Sequence, residues 1–230
     1  MTTAALETGV GPMLRGWREQ RRISQLELAL RADSSARHIS FIETGRSRPS
    51  EEMVLRLAEH LDVPVRERNA LLLAAGYAPH YAQTPLDDPS MSSLREGMER
   101  LLQAYDPYPA LMVDATYTVL AANRGIEMLL EGVAGHLLTP PVNAMRLTLH
   151  PEGVAAHPVP AGAEPGDTGA HPVFPFALPL RIEHAGTVLS FISTIATFNT
   201  PMDVTVSELA IETFLPADPE TAKYLQSLMP

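Results

Sequence analysis

Between Ser24 and Gly45 the chain spells two short helices with almost no room between them. Ser24-Gln25-Leu26-Glu27 reads as a capping box, in which Ser24 caps the helix and Glu27 reaches back to it. Ser35 is a second N-cap candidate, ahead of Ile39 and Ile42 at i, i+3, and Gly45 suits the end of that helix. Helices over Ser24–Ala32 and Ser35–Thr44 leave only Asp33-Ser34 for the joint. That spacing predicts a helix-turn-helix, a unit that lays its second helix in the major groove of DNA.

The flanking sequence extends the helical pattern. Leu14, Trp17, Arg18 and Arg21 fall at helical spacing, with Leu14 and Trp17 as the buried pair. Leu26, Ala29 and Leu30 are expected to line one face of the next helix. Ser50 caps a fourth helix carrying Met53, Val54, Leu57, Ala58 and Leu61. Pro64 sits in the first turn of a fifth, Val65 to Ala75, which Gly76 closes. Residues 10–76 therefore predict an all-α five-helix domain.

A net charge of −10 over 230 residues argues against a nucleic-acid partner until the charge is located. Residues 1–80 carry 11 Arg against 10 acids, and the stretch from Arg15 to Arg48 carries 8 Arg against 4. Residues 81–230 carry 6 basic residues against 17 acids. A locally basic segment joined to an acidic one favours two modules with different tasks. The hydrophobic share, 45%, excludes wholesale disorder. No apolar run approaches the ~18–20 residues of a membrane span, and Met1 to Thr8 does not resemble a secretion signal. No cysteine is present, which removes disulfides, thiol nucleophiles and cysteine zinc sites together. A cytoplasmic protein with no membrane partner is expected.

After a linker at 77–91, marked by Pro79, Pro85 and Pro89, the pattern becomes mixed. A helix is expected from about Ser92 to Tyr105, then strands at Ala110–Asp114 and Tyr117–Ala122. Asn123 is a cap candidate for a helix over Arg124–Glu131, and Met145–Leu149 reads as a further short helix. Residues 150–175 hold ten Pro or Gly in 26 and read as a loop. Strands resume at Ala177–Glu183 and Thr187–Phe198 around a turn at His184-Ala185-Gly186. Val204–Leu215 is the expected fifth strand and Pro219–Leu228 a closing helix. This order predicts an α+β domain over 92–230, with one five-stranded antiparallel sheet and helices on one face.

Two resemblances sharpen these expectations. Ser24-Gln25 followed by Ile39-Ser40-Phe41-Ile42-Glu43-Thr44-Gly45-Arg46-Ser47-Arg48-Pro49-Ser50 resembles the phage-repressor-like (XRE) helix-turn-helix family. Pro109-Ala110-Leu111-Met112-Val113-Asp114 with Val119-Leu120-Ala121-Ala122-Asn123 resembles the start of a PAS-like domain. Leu147-Thr148-Leu149-His150-Pro151-Glu152-Gly153, Leu189 to Ile195, Thr197 to Thr205 and Glu212 to Asp218 are similar to the MmyB-like ligand-binding domain. Together these imply a sequence-specific transcription regulator whose PAS-like domain senses a fatty acid or another small apolar effector. The XRE resemblance also implies an internal ion pair between Arg18 and Glu43. The MmyB resemblance implies a helical segment after Gly153, where this chain has its Pro/Gly-rich stretch to Pro175. That departure supports an alternative, a second domain that only dimerises or docks a partner.

The expected DNA-facing residues are Gln25, Ser35, Ala36, Arg37, Ser40, Phe41, Arg46 and Arg48. Gln25, at the start of the first motif helix, suits a phosphate. With Ile39 and Ile42 turned inward, Ala36, Arg37, Ser40 and Phe41 share the opposite face, at whose start Ser35 lies. Arg37 is the expected base reader, because its guanidinium matches guanine O6 and N7 bidentately. Ala36 or Phe41 suits a thymine methyl, and Arg46 and Arg48 suit phosphates. One such module makes few contacts, so a homodimer on a two-fold operator of double-stranded DNA is expected. Met112, Leu120, Met128, Phe191 and Ile195 are the candidate ligand residues, with Arg146, one turn from His150, for a carboxylate head group. Gly-x-Ser-x-Gly, P-loop and dinucleotide fingerprints are absent, so no enzyme and no cofactor are expected. His136, His150, His157, His171 and His184 read as scattered, without metal-ligand spacing.

Overall fold

Three serines start three helices. The computed structural model describes residues 9–154, 180–198 and 202–228. Five helices fill its first part: α1 (Val10–Gln20), α2 (Gln25–Arg31), α3 (Ala36–Glu43), α4 (Glu51–His60) and α5 (Val65–Ala74). The Ser24, Ser35 and Ser50 hydroxyls accept from the amides of Glu27, His38 and Met53 at 3.1, 3.1 and 3.2 Å. The capping box at Ser24 is one-sided, because Glu27 pairs forward with Arg31 at 2.5 Å.

All five helices close in one way. Arg22, Asp33, Gly45, Asp62 and Gly76 take positive φ, from 48° to 82°. The next amide in each case, on Ile23, Ser34, Arg46, Val63 or Tyr77, donates to the carbonyl five residues earlier. This is the Schellman closure, which occupies otherwise orphaned carbonyls and turns the chain sharply. In Asp33 it supplies the tight joint of the helix-turn-helix. Leu14, Leu28, Ala29, Ile39, Ile42, Val54, Leu57, Leu71 and Leu72 make the core of this unit. Gly11 lets α1 approach α3 closely, since a Cβ there would stand 2.4 Å from the Ile42 carbonyl oxygen. The expected face of α2 is corrected: Leu28 joins Ala29 in the core, whereas Leu26 and Leu30 are 62% and 74% exposed.

The second part is a five-stranded antiparallel sheet with helices. In chain order it comprises α6 (Ser92–Gln103), β1 (Ala110–Val113), β2 (Val119–Ala122), α7 (Gly125–Leu129), α8 (Ala144–Leu149), β3 (Leu180–His184) and β4 (Thr187–Thr197). A short helix α9 (Val204–Ser207) precedes β5 (Ala210–Pro216), and α10 (Pro219–Ser227) follows. The strand order is β2-β1-β5-β4-β3, so the last strand of the chain lies in the middle. It pairs with β1 from Ala110↔Thr213 to Val113↔Ala210 and with β4 from Phe191↔Pro216 to Thr197↔Ala210. Helices cover both faces, not one. Leu111, Val113, Leu189 and Phe191 pack with α7, Ala144 of α8 and Leu225 of α10. Ala110, Met112 and Ile211 turn the other way, onto Met98 and Leu102 of α6. Alternation along β1 buries both sides because both sides have a helix to meet.

Two further expectations are corrected. Asn123 does not cap α7; it is buried, accepts from the Ala110 amide at 2.9 Å, and donates to the carbonyls of Leu102 and Tyr108. The expected fifth strand begins six residues late, because Val204–Ser207 is helical. The 150–175 loop, from residue 155 on, and the expected strand start at Ala177 lie outside the described residues.

Residues 202–207, between β4 and β5 in sequence, belong by contact to the five-helix unit, together with the chain up to Thr84. Asp203 is their anchor. Its carboxylate accepts from the Thr84 amide at 3.0 Å, the Thr84 hydroxyl at 2.7 Å and the Thr205 amide at 2.8 Å. The Val204 amide donates to the Ala82 carbonyl at 2.8 Å. Burial pushes the Asp203 carboxyl up, but the hydrogen bonds from Thr84 and the Thr205 and Val206 amides together outweigh it and hold the group below its ordinary value. The unfolded chain therefore holds that proton more tightly than the folded one. This group's stabilisation is fully present above the unfolded value of about 3.9 and is lost as pH falls through the lower folded value. Asp203→Asn should cost about 1–3 kcal/mol at neutral pH. In denaturant titrations over a pH series, the gap between wild type and variant should shrink as the carboxylate range is crossed downward.

Candidate functional site

The helix-turn-helix is held by a buried charge cluster. Arg18 Nε donates to Glu43 Oε1 at 2.6 Å and its Nη2 to Oε2 at 2.9 Å, a bidentate pair. Arg18 Nη1 donates to the Ile23 carbonyl at 3.0 Å, and Gln25 Nε2 donates to Glu43 Oε2 at 2.8 Å. Both charged residues are more than nine-tenths buried. The hydrogen bond to Glu43 holds the Arg18 guanidinium charged above the ordinary arginine value. The cluster joins α1, the start of α2 and the end of α3, so it fixes the angle at which α3 is presented.

On α3, Ile39 and Ile42 are buried in the core, Arg37 is exposed, Ser40 and Phe41 are half-buried, and Ala36 is half-buried and packs against the core. Ser35 is exposed, with its hydroxyl oxygen accepting from His38. Two guanidinium groups lie over the Phe41 ring, Arg37 at 5.2 Å and Arg46 at 5.8 Å from its centroid. An aromatic ring favours such cations electrostatically and limits where their long side chains wander. Thr44 donates its hydroxyl to the Ser40 carbonyl at 2.7 Å, which tightens the end of the helix.

Two expected DNA-facing residues also have structural partners. Arg48 donates to the carbonyls of Ala75 and Gly76 at 3.1 and 3.4 Å and stacks on Tyr77 at 5.2 Å. It caps the end of α5, where cations are favoured. Gln25 turns one amide hydrogen to Glu43, as given above. Sequence reasoning missed Arg21, which donates to the carbonyls of Leu61 and Asp62 at the end of α4. No sequence signal marks that long-range contact.

The six candidate ligand residues do not converge. Met112 and Leu120 line one cavity of about 360 Å³ with Leu86, Arg95, Met98 and Ala121. Met128 lines a second, of about 270 Å³, with Arg124, Glu131, His184 and Leu225. Ile195, 60% exposed, borders a third of about 170 Å³. Phe191 is fully buried in the core against α7 and α10. Arg146 is exposed and is not on any of these three cavities. The histidines are less scattered than their spacing suggests. His136, His150 and Glu152 come together, and His184 bridges Tyr224 Oη at 2.6 Å and Glu131 Oε2 at 3.0 Å. Sequence separations of 14 and 40 residues hid both groups.

These observations agree with comparison to known proteins. Residues 14–68 match the helix-turn-helix family, and residues 94–164 match the MmyB-like transcription regulator ligand binding domain. The chain is a DNA-binding transcription regulator with a ligand-binding domain. More narrowly, it joins an XRE-type helix-turn-helix to a domain of the MmyB-like kind. It is also similar to the clp gene regulator ClgR from Corynebacterium glutamicum, at 23% identity over 46% of this chain and 99% of that one, with a TM-score of 0.27. An RNA-binding light-oxygen-voltage receptor matches at 12% identity over 99% of this chain and 64% of that one, with a TM-score of 0.30. Likeness at these values carries no argument about the site. No curated protein matches the chain. Among the described residues no helix is long and apolar enough to cross a membrane.

The charge cluster is open to a direct test. Glu43→Gln leaves a buried arginine without its counter-ion and should cost about 3–5 kcal/mol of stability in chemical denaturation. Replacing both partners, Arg18→Met with Glu43→Leu, should cost less than Glu43→Gln alone, because no charge is left stranded.

Proposed function

We propose that the chain is a cytoplasmic, sequence-specific regulator that binds a two-fold operator as a homodimer and answers a small apolar effector. Residues 10–76 are the DNA-binding domain, 77–91 the linker and 92–230 the ligand-binding and dimerisation domain. The observation that carries the DNA reading is the outer face of α3, where Arg37, and Arg46 from just past the helix end, both lie over the Phe41 ring. Arg37 reads a base edge, Ser40 and either Ala36 or Phe41 supply neighbouring contacts, and Arg46, Ser35 and the remaining amide hydrogen of Gln25 hold phosphates. Arg48 contributes by fixing the turn after α3. The acidic remainder of the chain opposes non-specific adhesion to DNA.

The cavity against Met112 and Leu120 is the best place for an apolar effector. Its volume of about 360 Å³ lies at the low end of the ~300–1,000 Å³ typical of small-molecule sites. Arg95 at its rim donates to the carbonyls of Leu86 and Asp88 and so shapes the mouth. The chain of a fatty acid would lie along Met98, Met112 and Leu120, with its carboxylate directed away from Asp87 and Glu99, which also line the cavity. The scattering of the other candidates, above all Phe191 into the core, favours the second reading, a domain that dimerises or docks a partner without a ligand. In either reading the chain is not an enzyme.

Arg37→Ala should cost about 1–3 kcal/mol and relax preference at one base position, whereas Arg46→Ala should weaken all sequences evenly and lower the salt slope by about 1. Unchanged preference in a selection from random DNA after Arg37→Ala would overturn the assignment of α3. Mass spectrometry of an organic extract of the purified protein separates the two readings of the second domain. One lipid at near-equal molar amount supports the sensor, and an empty extract with a concentration-independent dimer in sedimentation supports the dimerisation module.

A further inference from the structure

We propose that His136, His150 and Glu152 form a binding site for a divalent transition-metal ion of the zinc type. One ligand atom from each lies within 4.8 Å of the others. Three atoms so spaced share a centre within about 2.8 Å of all of them, close to the ~2.0–2.2 Å of nitrogen and carboxylate bonds to zinc. A sub-ångström closure by side chains completes the fit. Two imidazoles and one carboxylate are a borderline donor set, which selects zinc, nickel or copper over magnesium and calcium. Three ligands among the described residues leave a fourth position for water, as the exposure of His136 and Glu152 allows.

The donors sit on backbone that is already tied together. His136 belongs to a single 3₁₀ turn, Gly135–Leu137, whose Leu137 is buried. His150 is the C-cap residue of α8. The Ala134 amide donates to the Glu152 carbonyl at 3.0 Å, which fastens the turn of His136 to the residue that carries the carboxylate. The Gly153 amide donates to the His150 carbonyl at 2.9 Å and closes the bend between the other two donors. The His136 and His150 rings meet edge to face, with centroids 5.6 Å apart, and His136 Nδ1 is 3.8 Å from Glu152 Oε2. The opposing contact is the Glu152 amide, which donates to His150 Nδ1 at 3.1 Å and so occupies the lone pair of that nitrogen. A metal competes for it, so the site is weaker than a closed structural one. His80 with Glu51 and His184 with Glu131 each bring one histidine to one carboxylate. A third ligand is what distinguishes the group at His136.

The test is calorimetric titration of the chelator-treated full chain with Zn²⁺ alone, repeated with Co²⁺ and its visible absorption. One saturable equivalent is expected, with a Co²⁺ spectrum that includes nitrogen ligands. His136→Ala and Glu152→Gln should each weaken binding at least tenfold, while His184→Ala should leave it unchanged. Circular dichroism checks that the variants fold, and Glu152→Gln changes only a surface side chain. Absence of saturable binding overturns the proposal, and so does binding that neither His136→Ala nor Glu152→Gln weakens.

Discussion

The orientation of α3 depends on one buried ion pair. Taking Arg18 and Glu43 out of water is costly, and the arrangement stands only because both ends are fully engaged. The guanidinium satisfies the carboxylate through two bonds and the Ile23 carbonyl through a third, while Gln25 adds a donor to Glu43. A hydrophobic pair would hold α1 against α3 without fixing rotation. A bidentate fork has a plane and a direction, so it sets the angle as well as the distance. Arg37 and Phe41 then project from a helix whose roll is determined, with Arg46 just past its end. The inward and outward faces of α3 share the same eight residues, Ala36–Glu43.

The sheet obeys a different constraint. Its middle strand, β5, comes last in the chain and pairs with β1 on one side and β4 on the other. Neither half of the sheet is complete without it. Between β4 and β5 the chain also supplies residues 202–207 to the five-helix unit, where Asp203 holds Thr84.

Legibility followed the range of the forces involved. Ser24, Ser35 and Ser50 were readable as caps because a cap acts within four residues. Gly45 and Gly76 were readable as closures because glycine takes positive φ freely, but Arg22, Asp33 and Asp62 make the same closure with residues that advertise it less. The face of α2 was misjudged because seven residues give fewer than two turns, too short for Leu26 and Leu30 to outvote Leu28 and Ala29 by period alone. Asn123 has cap chemistry and a cap position, yet three backbone partners from elsewhere take its amide. Arg48 has the composition of a phosphate contact and is used on α5.

The sequence by itself determined the helix-turn-helix, its serine caps, the inward Ile39 and Ile42, and the α+β order of the second half, since caps and periodicities are local. Tertiary structure alone decided which polar groups remain free for a partner. Gln25, Arg21 and Arg48 engage carbonyls and a carboxylate up to 41 residues away, whereas among the described residues Arg37 and Arg46 meet only the Phe41 ring. It also decided that helices cover both faces of the sheet and that His136, His150 and Glu152 converge. The physical reason is common to all three. A side chain's partner is set by where the backbone closes in space, and that closure depends on every element packed between.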